Sequence, residues 1–275
     1  MLDPHTHSNA SDGALFPHEL VARAANLGVT QLGVTDHDTM DGVVEAIEAG
    51  ERHGVRVVPG TEISVRGPSG SMHLLGYFRD PRPEPVRRRL GEIAAFRANR
   101  NRMIVDRLGE LGVPVDWHDV ERRAKGQVGR PHIAEALVAA GHVETKQEAF
   151  DRFLAAGRPG YVEAGSLSPE QATALIRESG GAPVLAHPLT LKLGVEDLAG
   201  VVQSMAEAGL VGLEVFRPDH DVVTRDAFAG LCRRFDLVPG GGSDFHRPDP
   251  EGVDIGDVGE AGIPPDTLDR LLAAV

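Results

Sequence analysis

Histidines and carboxylates recur where predicted strands end, and both side chains are ligands of divalent metal ions. His5 and His7 close the first predicted strand two residues apart, so their imidazoles point to the same side of an extended segment. Asp12 follows in the turn-forming run NASDG. The other residues of this kind at predicted strand ends or starts are Asp36, His37, Asp38, Glu62, His73, His187, Asp244 and His246.

A single His-x-His pair is a weak signal, and Asp12 or Glu62 alone is more often a turn residue or a solvated strand end. The recurrence of such residues at six strand ends is different, because buried charges without partners are costly. The set also exceeds what one ion can bind. We therefore expect two or three ions with a bridging carboxylate, an arrangement suited to cleaving a phosphoester.

The elements that must position these residues follow a strand–helix alternation typical of α/β folds with a parallel sheet. About seven such units are predicted, which is near the number that closes a barrel. In parallel α/β folds the chemistry lies at the carboxyl ends of the strands. The predicted strands are Leu2–Thr6, Gln31–Thr35, Val55–Pro59, Met72–Phe78, Pro183–Ala186, Gly212–Phe216 and Leu237–Gly241.

The middle of the chain interrupts this alternation. A long helix is predicted from Pro85 to Leu111, ending at Gly112, and residues 113–163 read as helical with no convincing strand. We predict a barrel formed by residues 1–112 and 164–275, with 113–163 as a helical insertion that covers the active site. The helices predicted in the insertion are Trp117–Lys125, Pro131–Ala140 and Lys146–Ala155.

Composition excludes several classes of protein. The formal charge of −13 argues against a general nucleic-acid surface, which needs Lys and Arg to neutralise phosphates, so no stable nucleic-acid partner is expected. Cys232 is the single cysteine, which rules out an internal disulfide and a cysteine-rich zinc module. No apolar run approaches membrane length and the N-terminal MLDPHTHS has no features of a secretion signal, so we predict a cytoplasmic protein without membrane contact.

Six motifs, in order and spacing, resemble the polymerase and histidinol phosphatase (PHP) family: HTHSNASDG, GVTDHD, PGTEIS, MHLLGY, LAHP and GGSDFH. The resemblance spans nearly the whole chain outside the insertion and implies a distorted seven-stranded β/α barrel with a trinuclear metal site. Manganese is the expected metal, with iron or zinc as alternatives. Pro4 departs from the family's usual apolar residue but no ligand position is missing.

The resemblance also implies how the ligands divide among three ions. One ion would be held by His5, His7, Glu62 and Asp244. Glu62 would bridge to a second ion, which His73 and His187 also bind. The third would be held by Asp12, His37 and His246. His37, His187 and Asp244 are expected to take part in catalysis, and Asp36 to orient a ligating histidine or to lie in the substrate site.

The stretch GRPHIA in the insertion resembles the branch of the family that removes the 3′-phosphate from nucleoside 3′,5′-bisphosphates. Arg130, His132 and Arg158 are expected to grip a second phosphate, since guanidinium binds phosphate oxygens in pairs. Relatives that trim short RNA from its 5′ end offer a second hypothesis, and histidinol phosphatase a third. A fourth is a non-catalytic, metal-stabilised module, which predicts a lost ligand.

Overall fold

Seven strands form one sheet in the order of the sequence. The computed structural model describes residues 1–67, 70–124, 128–163, 165–250, 252–259 and 262–275, with the backbone alone at 70, 71, 97 and 98. The strands are β1 (Leu2–Thr6), β2 (Gln31–Val34), β3 (Arg56–Gly67), β4 (Gly70–Phe78), β5 (Gly181–Leu185), β6 (Gly212–Phe216) and β7 (Val238–Gly241).

The first and last strands meet and nearly close the sheet into a barrel. Thr6 forms a parallel bridge with Phe245, just beyond β7, and the amide of His7 donates to the Phe245 carbonyl at 2.9 Å. The amide of Asp244 donates to the His5 carbonyl at 2.9 Å. The predicted seven-stranded barrel is therefore confirmed, and its closure joins two segments that carry predicted ligands.

The sheet departs from the predicted parallel arrangement at β4. This strand runs antiparallel to both of its neighbours, β3 and β5. Strand β3 is also longer than predicted, because Ile63 and Val65 alternate with polar residues and continue the strand opposite β4. Glu62 accordingly lies within β3, and the start of β4 returns to the same end of the barrel as the carboxyl ends of the parallel strands.

Ten α-helices lie in the part of the chain that the structure describes, and none of them has the length and apolar character needed to cross a membrane. Helices α1 and α2 bury Leu20, Val21 and Ala46 in a cluster with Leu32 of β2. The helices are α1 (Pro17–Asn26), α2 (Val43–His53), α3 (Glu84–Glu110), α4 (Trp117–Arg123), α5 (Arg130–Ala139), α6 (Lys146–Ala149), α7 (Pro169–Glu178), α8 (Val195–Glu207), α9 (Val222–Phe235) and α10 (Thr267–Ala273).

The chain divides into two compact units. Unit 1 comprises Met1–Leu90 and Leu167–Val275, which contain every strand, and unit 2 is Gly91–Ser166. Unit 2 is larger than the predicted 113–163 insertion, because Ile104 and Leu108 of α3 are buried with Ile133 and Phe153 of the inserted helices.

Helix α6 continues as one π-helical turn, Phe150–Leu154, close to the predicted Lys146–Ala155. Lys125, the predicted end of α4, and Ala164, the predicted start of the second barrel segment, lie outside the described residues.

Candidate metal centre

The carboxylate of Glu62 lies at the centre of a ring of imidazoles. It is fully buried in β3, and its bridge partner His37 follows β2. Five histidine nitrogens surround it at these distances: Nε2 of His5 3.3 Å, Nε2 of His7 3.2 Å, Nδ1 of His37 3.2 Å, Nδ1 of His73 3.0 Å and Nε2 of His187 2.8 Å. These histidines belong to four separate segments of the chain. They lie together because the order of the strands places those segments side by side.

The first group contains the four residues predicted to hold one ion. Ligand atoms of His5, His7, Glu62 and Asp244 all lie within 4.8 Å of one another. The Oδ1 atom of Asp244 is 3.3 Å from Nε2 of His5 and 3.2 Å from Nε2 of His7. This group is the most enclosed of the site, since only Asp244 retains appreciable exposure.

The second predicted group shares Glu62 with the first. Nδ1 of His73 lies 3.2 Å from Nε2 of His187, and both nitrogens contact Oε1 of Glu62. His37 also lies within ligand distance of Glu62 and His73. His73 reaches this end of the barrel because β4 is antiparallel, which places its first residues beside the ends of the parallel strands.

The third predicted group, Asp12, His37 and His246, is joined by His7, which the prediction did not include there. Nε2 of His246 is 3.4 Å from Oδ1 of Asp12, and Nε2 of His37 is 3.9 Å from Oδ2. The His7 and His246 rings stack with their centroids 4.1 Å apart. The Asp12 side chain is 58% exposed, so this side of the centre opens to solvent.

The donor set fits divalent metal ions. Two pairs of ring nitrogens face each other, His5 Nε2 with His7 Nε2 at 3.0 Å and His73 Nδ1 with His187 Nε2 at 3.2 Å. The lone pairs of two facing nitrogens repel each other unless a proton or a metal cation lies between them. Nδ1 of His7, Nδ1 of His37 and Oδ1 of Asp244 are buried without a hydrogen-bond partner. Imidazole nitrogens and carboxylate oxygens suit manganese, iron and zinc.

The electrostatics of the site favour cations. Burial would raise the pKa of Glu62, but His5, His187 and His7 hold that pKa well below its usual range. Burial opposes ionisation of Asp244 in the same way, and His5 and His7 nevertheless lower its pKa. Both carboxylates are therefore ionised at neutral pH, in a setting that only positive charge stabilises.

Two predicted ligands have strained backbones. His187 has φ 25° and Asp244 has φ 58°, in or near the left-handed region that non-glycine residues rarely adopt. Asp38, after β2, has φ 51°. Such conformations persist where surrounding structure enforces them and are common at functional sites. From these positions the His187 side chain contacts Glu62, and the Asp244 side chain contacts His5 and His7.

Asp36 differs from its predicted role. Its carboxylate is 1% exposed and accepts hydrogen bonds from the Ser8 amide at 2.8 Å, the Ser8 hydroxyl at 2.7 Å and the Ser11 hydroxyl at 2.7 Å. None of these partners is a histidine, and both carboxylate oxygens are engaged. Asp36 therefore holds the loop that leads from His7 to Asp12, two predicted ligands.

The residues expected to bind a second phosphate lie in unit 2. Nη1 of Arg130 donates to the Leu154 carbonyl at 3.1 Å, and its guanidinium stacks over Tyr161 at 5.6 Å from the ring centroid. Nδ1 of His132 accepts from the Gly129 amide at 3.0 Å, which caps α5. Arg158 is exposed and has no ion pair among the described residues. Their contribution to a substrate site stays a prediction.

Sequence reasoning missed two buried charged residues beside the centre, Glu214 on β6 and Arg217 just after it. Oε1 of Glu214 is 2.9 Å from Nδ1 of His5, and Nη2 of Arg217 is 3.4 Å from Oδ2 of Asp244. His5 and Arg217 lower the pKa of Glu214 to about 2 against the effect of burial. The sequence does contain a signal for Glu214, because an acidic residue inside the apolar strand GLEVF is rarely buried without a partner.

A nearly closed barrel with a rim of histidines and carboxylates is typical of metal-dependent enzymes of the α/β class. The model of the PHP domain matches residues 3–156, more than half of the chain. The chain therefore belongs to the PHP family of metal-dependent phosphoesterases, as the six motifs predicted.

Two named relatives and one solved structure are similar to the protein over most of its length. A 5′-3′ exoribonuclease Rnm from Salmonella typhimurium is 36% identical over 90% of this chain and 86% of its own. A 3′,5′-nucleoside bisphosphate phosphatase from Chromobacterium violaceum is 33% identical over 93% and 90%. A Bifidobacterium adolescentis structure described as a metal-dependent phosphoesterase matches with a TM-score of 0.68, 33% identity and coverage of 99% and 96%.

Proposed function

We propose that the protein removes the 3′-phosphate from nucleoside 3′,5′-bisphosphates, giving a nucleoside 5′-monophosphate and inorganic phosphate. The observation that supports this most is the fusion of three ligand groups into one cluster. His7 belongs to two of them, His37 to two and Glu62 to two, so ions bound there would be neighbours. Neighbouring ions are the arrangement that stabilises both the attacking and leaving oxygens of a phosphoester.

We assign the predicted ligands to two or three divalent ions, with manganese as the expected metal. His5, His7, Glu62 and Asp244 would hold the enclosed ion. The other assigned ligands are Asp12, His37, His73, His187 and His246. Bound divalent ions would lower the pKa of a coordinated water and neutralise the charge of the phosphate. His187 acts as a ligand in this scheme, since its Nδ1 contacts the Thr190 hydroxyl at 3.1 Å and leaves Nε2 directed at Glu62.

The substrate would approach on the side of Asp12, His37 and His246, because their side chains are 58%, 23% and 29% exposed whereas those of His5 and His7 are fully buried. His37 is the remaining candidate for proton transfer on this open side, a role that it would take in place of binding an ion. The second phosphate would be bound by Arg130, His132 and Arg158. The resemblance of GRPHIA to the branch of the family that acts on nucleoside 3′,5′-bisphosphates supports this assignment. That residues 113–163 cover the active site stays a prediction from the sequence.

The similarity to the Rnm exoribonuclease supports a second candidate, removal of nucleotides from the 5′ end of short RNA. The net charge of −13 favours the small substrate, because a long polyanion gains affinity from basic surface. Histidinol phosphate is a third candidate substrate, with no contact of the described residues to favour it. A cytoplasmic location also stays a prediction.

Phosphate release with manganese present tests the proposal. We expect rapid release from adenosine 3′,5′-bisphosphate, little from histidinol phosphate and slow shortening of 5′-phosphorylated oligoribonucleotides. Preference for the oligonucleotide at comparable concentration would favour the exonuclease, and preference for histidinol phosphate would overturn the assignment. If fully metal-loaded protein released no phosphate from any of them, the non-catalytic module would be favoured.

A matched pair of variants tests the second phosphate site. Arg158→Ala should raise the KM for adenosine 3′,5′-bisphosphate by roughly 10- to 100-fold, which is the effect of losing one charge-assisted hydrogen bond. The KM for adenosine 3′-phosphate, which lacks the second phosphate, should stay unchanged. Arg152→Ala is the control, since Arg152 is also exposed but pairs with Glu148 at 2.6 Å. Equal KM values for both variants would remove Arg158 from the substrate site.

A further inference from the structure

A buried carboxylate on β6 touches two of the assigned ligands from inside the barrel. Glu214 is fully buried, and its Oε1 lies 2.9 Å from Nδ1 of His5. Its Oε2 accepts from the amide of His187 at 2.6 Å. Glu214 thus contacts His5, a ligand within β1, and His187, the strained ligand that follows β5, although it lies outside the ligand groups themselves.

The contact with Glu214 determines which nitrogen of His5 can bind a metal ion. Because a carboxylate only accepts hydrogen bonds, it favours the proton of a neutral His5 on Nδ1. Nε2 then presents its lone pair toward His7 and Glu62, at 3.0 Å and 3.3 Å. A carboxylate behind a ligating histidine fixes the ring's tautomer and orientation.

Arg217 extends this support to a third ligand. Its side chain is 8% exposed, and Nη1 donates to Oε2 of Glu214 at 3.3 Å while Nη2 donates to Oδ2 of Asp244 at 3.4 Å. Nε donates to Asp219 at 3.0 Å. Holding Oδ2 of Asp244 in this way leaves Oδ1 without a hydrogen-bond partner and directed at the His5 and His7 nitrogens.

We propose that Glu214 and Arg217 are positioning residues of the metal centre, which fix the tautomer of His5, the backbone of His187 and the free oxygen of Asp244. The inference rests on the proposed ligation by these three residues. Neither Glu214 nor Arg217 binds an ion in this scheme. They act by holding three ligands, one within β1, one after β5 and one after β7, in one geometry before any ion binds.

Glutamine cannot replace Glu214, because the carboxylate accepts from three donors. If the amide nitrogen of a glutamine faced His5, it would donate to Nδ1 and shift the ring proton to Nε2, where it blocks ligation. If the amide nitrogen faced the other way, it would lie against the N–H groups of His187 and Arg217. Both groups are donors, so neither could form a hydrogen bond with it. Either orientation disturbs an assigned ligand.

The test is Mn²⁺ affinity measured by titration calorimetry on metal-stripped full-length protein. Glu214→Gln should raise the Kd for Mn²⁺ by roughly 10- to 100-fold, the usual effect of removing a partner behind a ligand. KM for substrate should stay unchanged at saturating Mn²⁺. The control is Glu196→Gln, whose Glu196–Arg234 pair has a similar separation of 3.4 Å but is exposed, so its Kd should change by less than about twofold.

Unchanged Mn²⁺ affinity in folded Glu214→Gln, checked by circular dichroism, would overturn the inference. If that variant does not fold, Arg217→Lys decides the question. Lysine keeps the charge but cannot bridge Glu214 and Asp244 in parallel, so a raised Kd supports the inference and an unchanged Kd overturns it. Failure of the wild-type protein to bind Mn²⁺ would instead contradict the proposed metal centre itself.

Discussion

Adding one methyl group at Gly242 should disrupt the metal centre without replacing any of the predicted ligands. Gly242 lies just after β7, against the segment of β1 that bears His5. A Cβ atom built there would lie 2.8 Å from the His5 amide nitrogen and 3.0 Å from its Cα, and closer still to its Cβ. All three contacts involve backbone or its first side-chain carbon, so no flexible group can move aside.

The size of the effect follows from these distances. Ordinary contact between carbon atoms is about 3.5–4.0 Å, so β1 and the end of β7 must separate by on the order of 1 Å. Overpacking of this kind costs about 1–3 kcal/mol of stability. A displacement of about 1 Å at a reacting centre lowers turnover by about 100-fold. Gly242→Ala should therefore lose most of its activity while remaining folded.

The assay compares kcat for phosphate release, bound metal by elemental analysis and the unfolding free energy. Gly200→Ala is the matched control, because an added Cβ at that position in α8 meets nothing within 4 Å. In a helix this change should stabilise by about 0.5–1 kcal/mol and leave activity intact. Wild-type kcat and metal content in Gly242→Ala would refute the reasoning that barrel closure places His5 and Asp244.

Three further outcomes are expected. Asp244→Asn and His187→Ala should each lower turnover by roughly 100-fold or more in a protein whose circular dichroism is unchanged, and near-wild-type rates would remove that residue from the site. Tyr77→Phe removes the hydrogen bond to the Pro4 carbonyl, 3.1 Å away in the core, and should cost about 1–3 kcal/mol in urea unfolding; an unchanged midpoint would contradict this. Burial raises the pKa of Cys232 to about 12, so its thiol stays protonated below that pH. At pH 8 only about one thiol in ten thousand is then ionised, and native protein should react with a disulfide reagent far more slowly than denatured protein; equal rates would place the thiol at the surface.

The sequence determined much of this protein, because its strong signals are local. Two strands, Leu2–Thr6 and Gly212–Phe216, have the bounds that their apolar runs predict. The predicted ligands can be selected from the sequence because imidazoles and carboxylates recur at strand ends, where parallel folds place their chemistry. Their types alone indicate a metal centre.

Tertiary structure decided the contacts that join distant parts of the chain. The direction of β4 depends on pairing with β3 and β5, and that pairing brings His73 to the site from the start of its strand. The sequence around Glu214 does not reveal its partner, because Glu214 contacts His5, which lies 209 positions away. Asp36 was predicted near a histidine but binds serines. Side-chain partners of this kind depend on which strands are neighbours, and short-range periodicity does not contain that information.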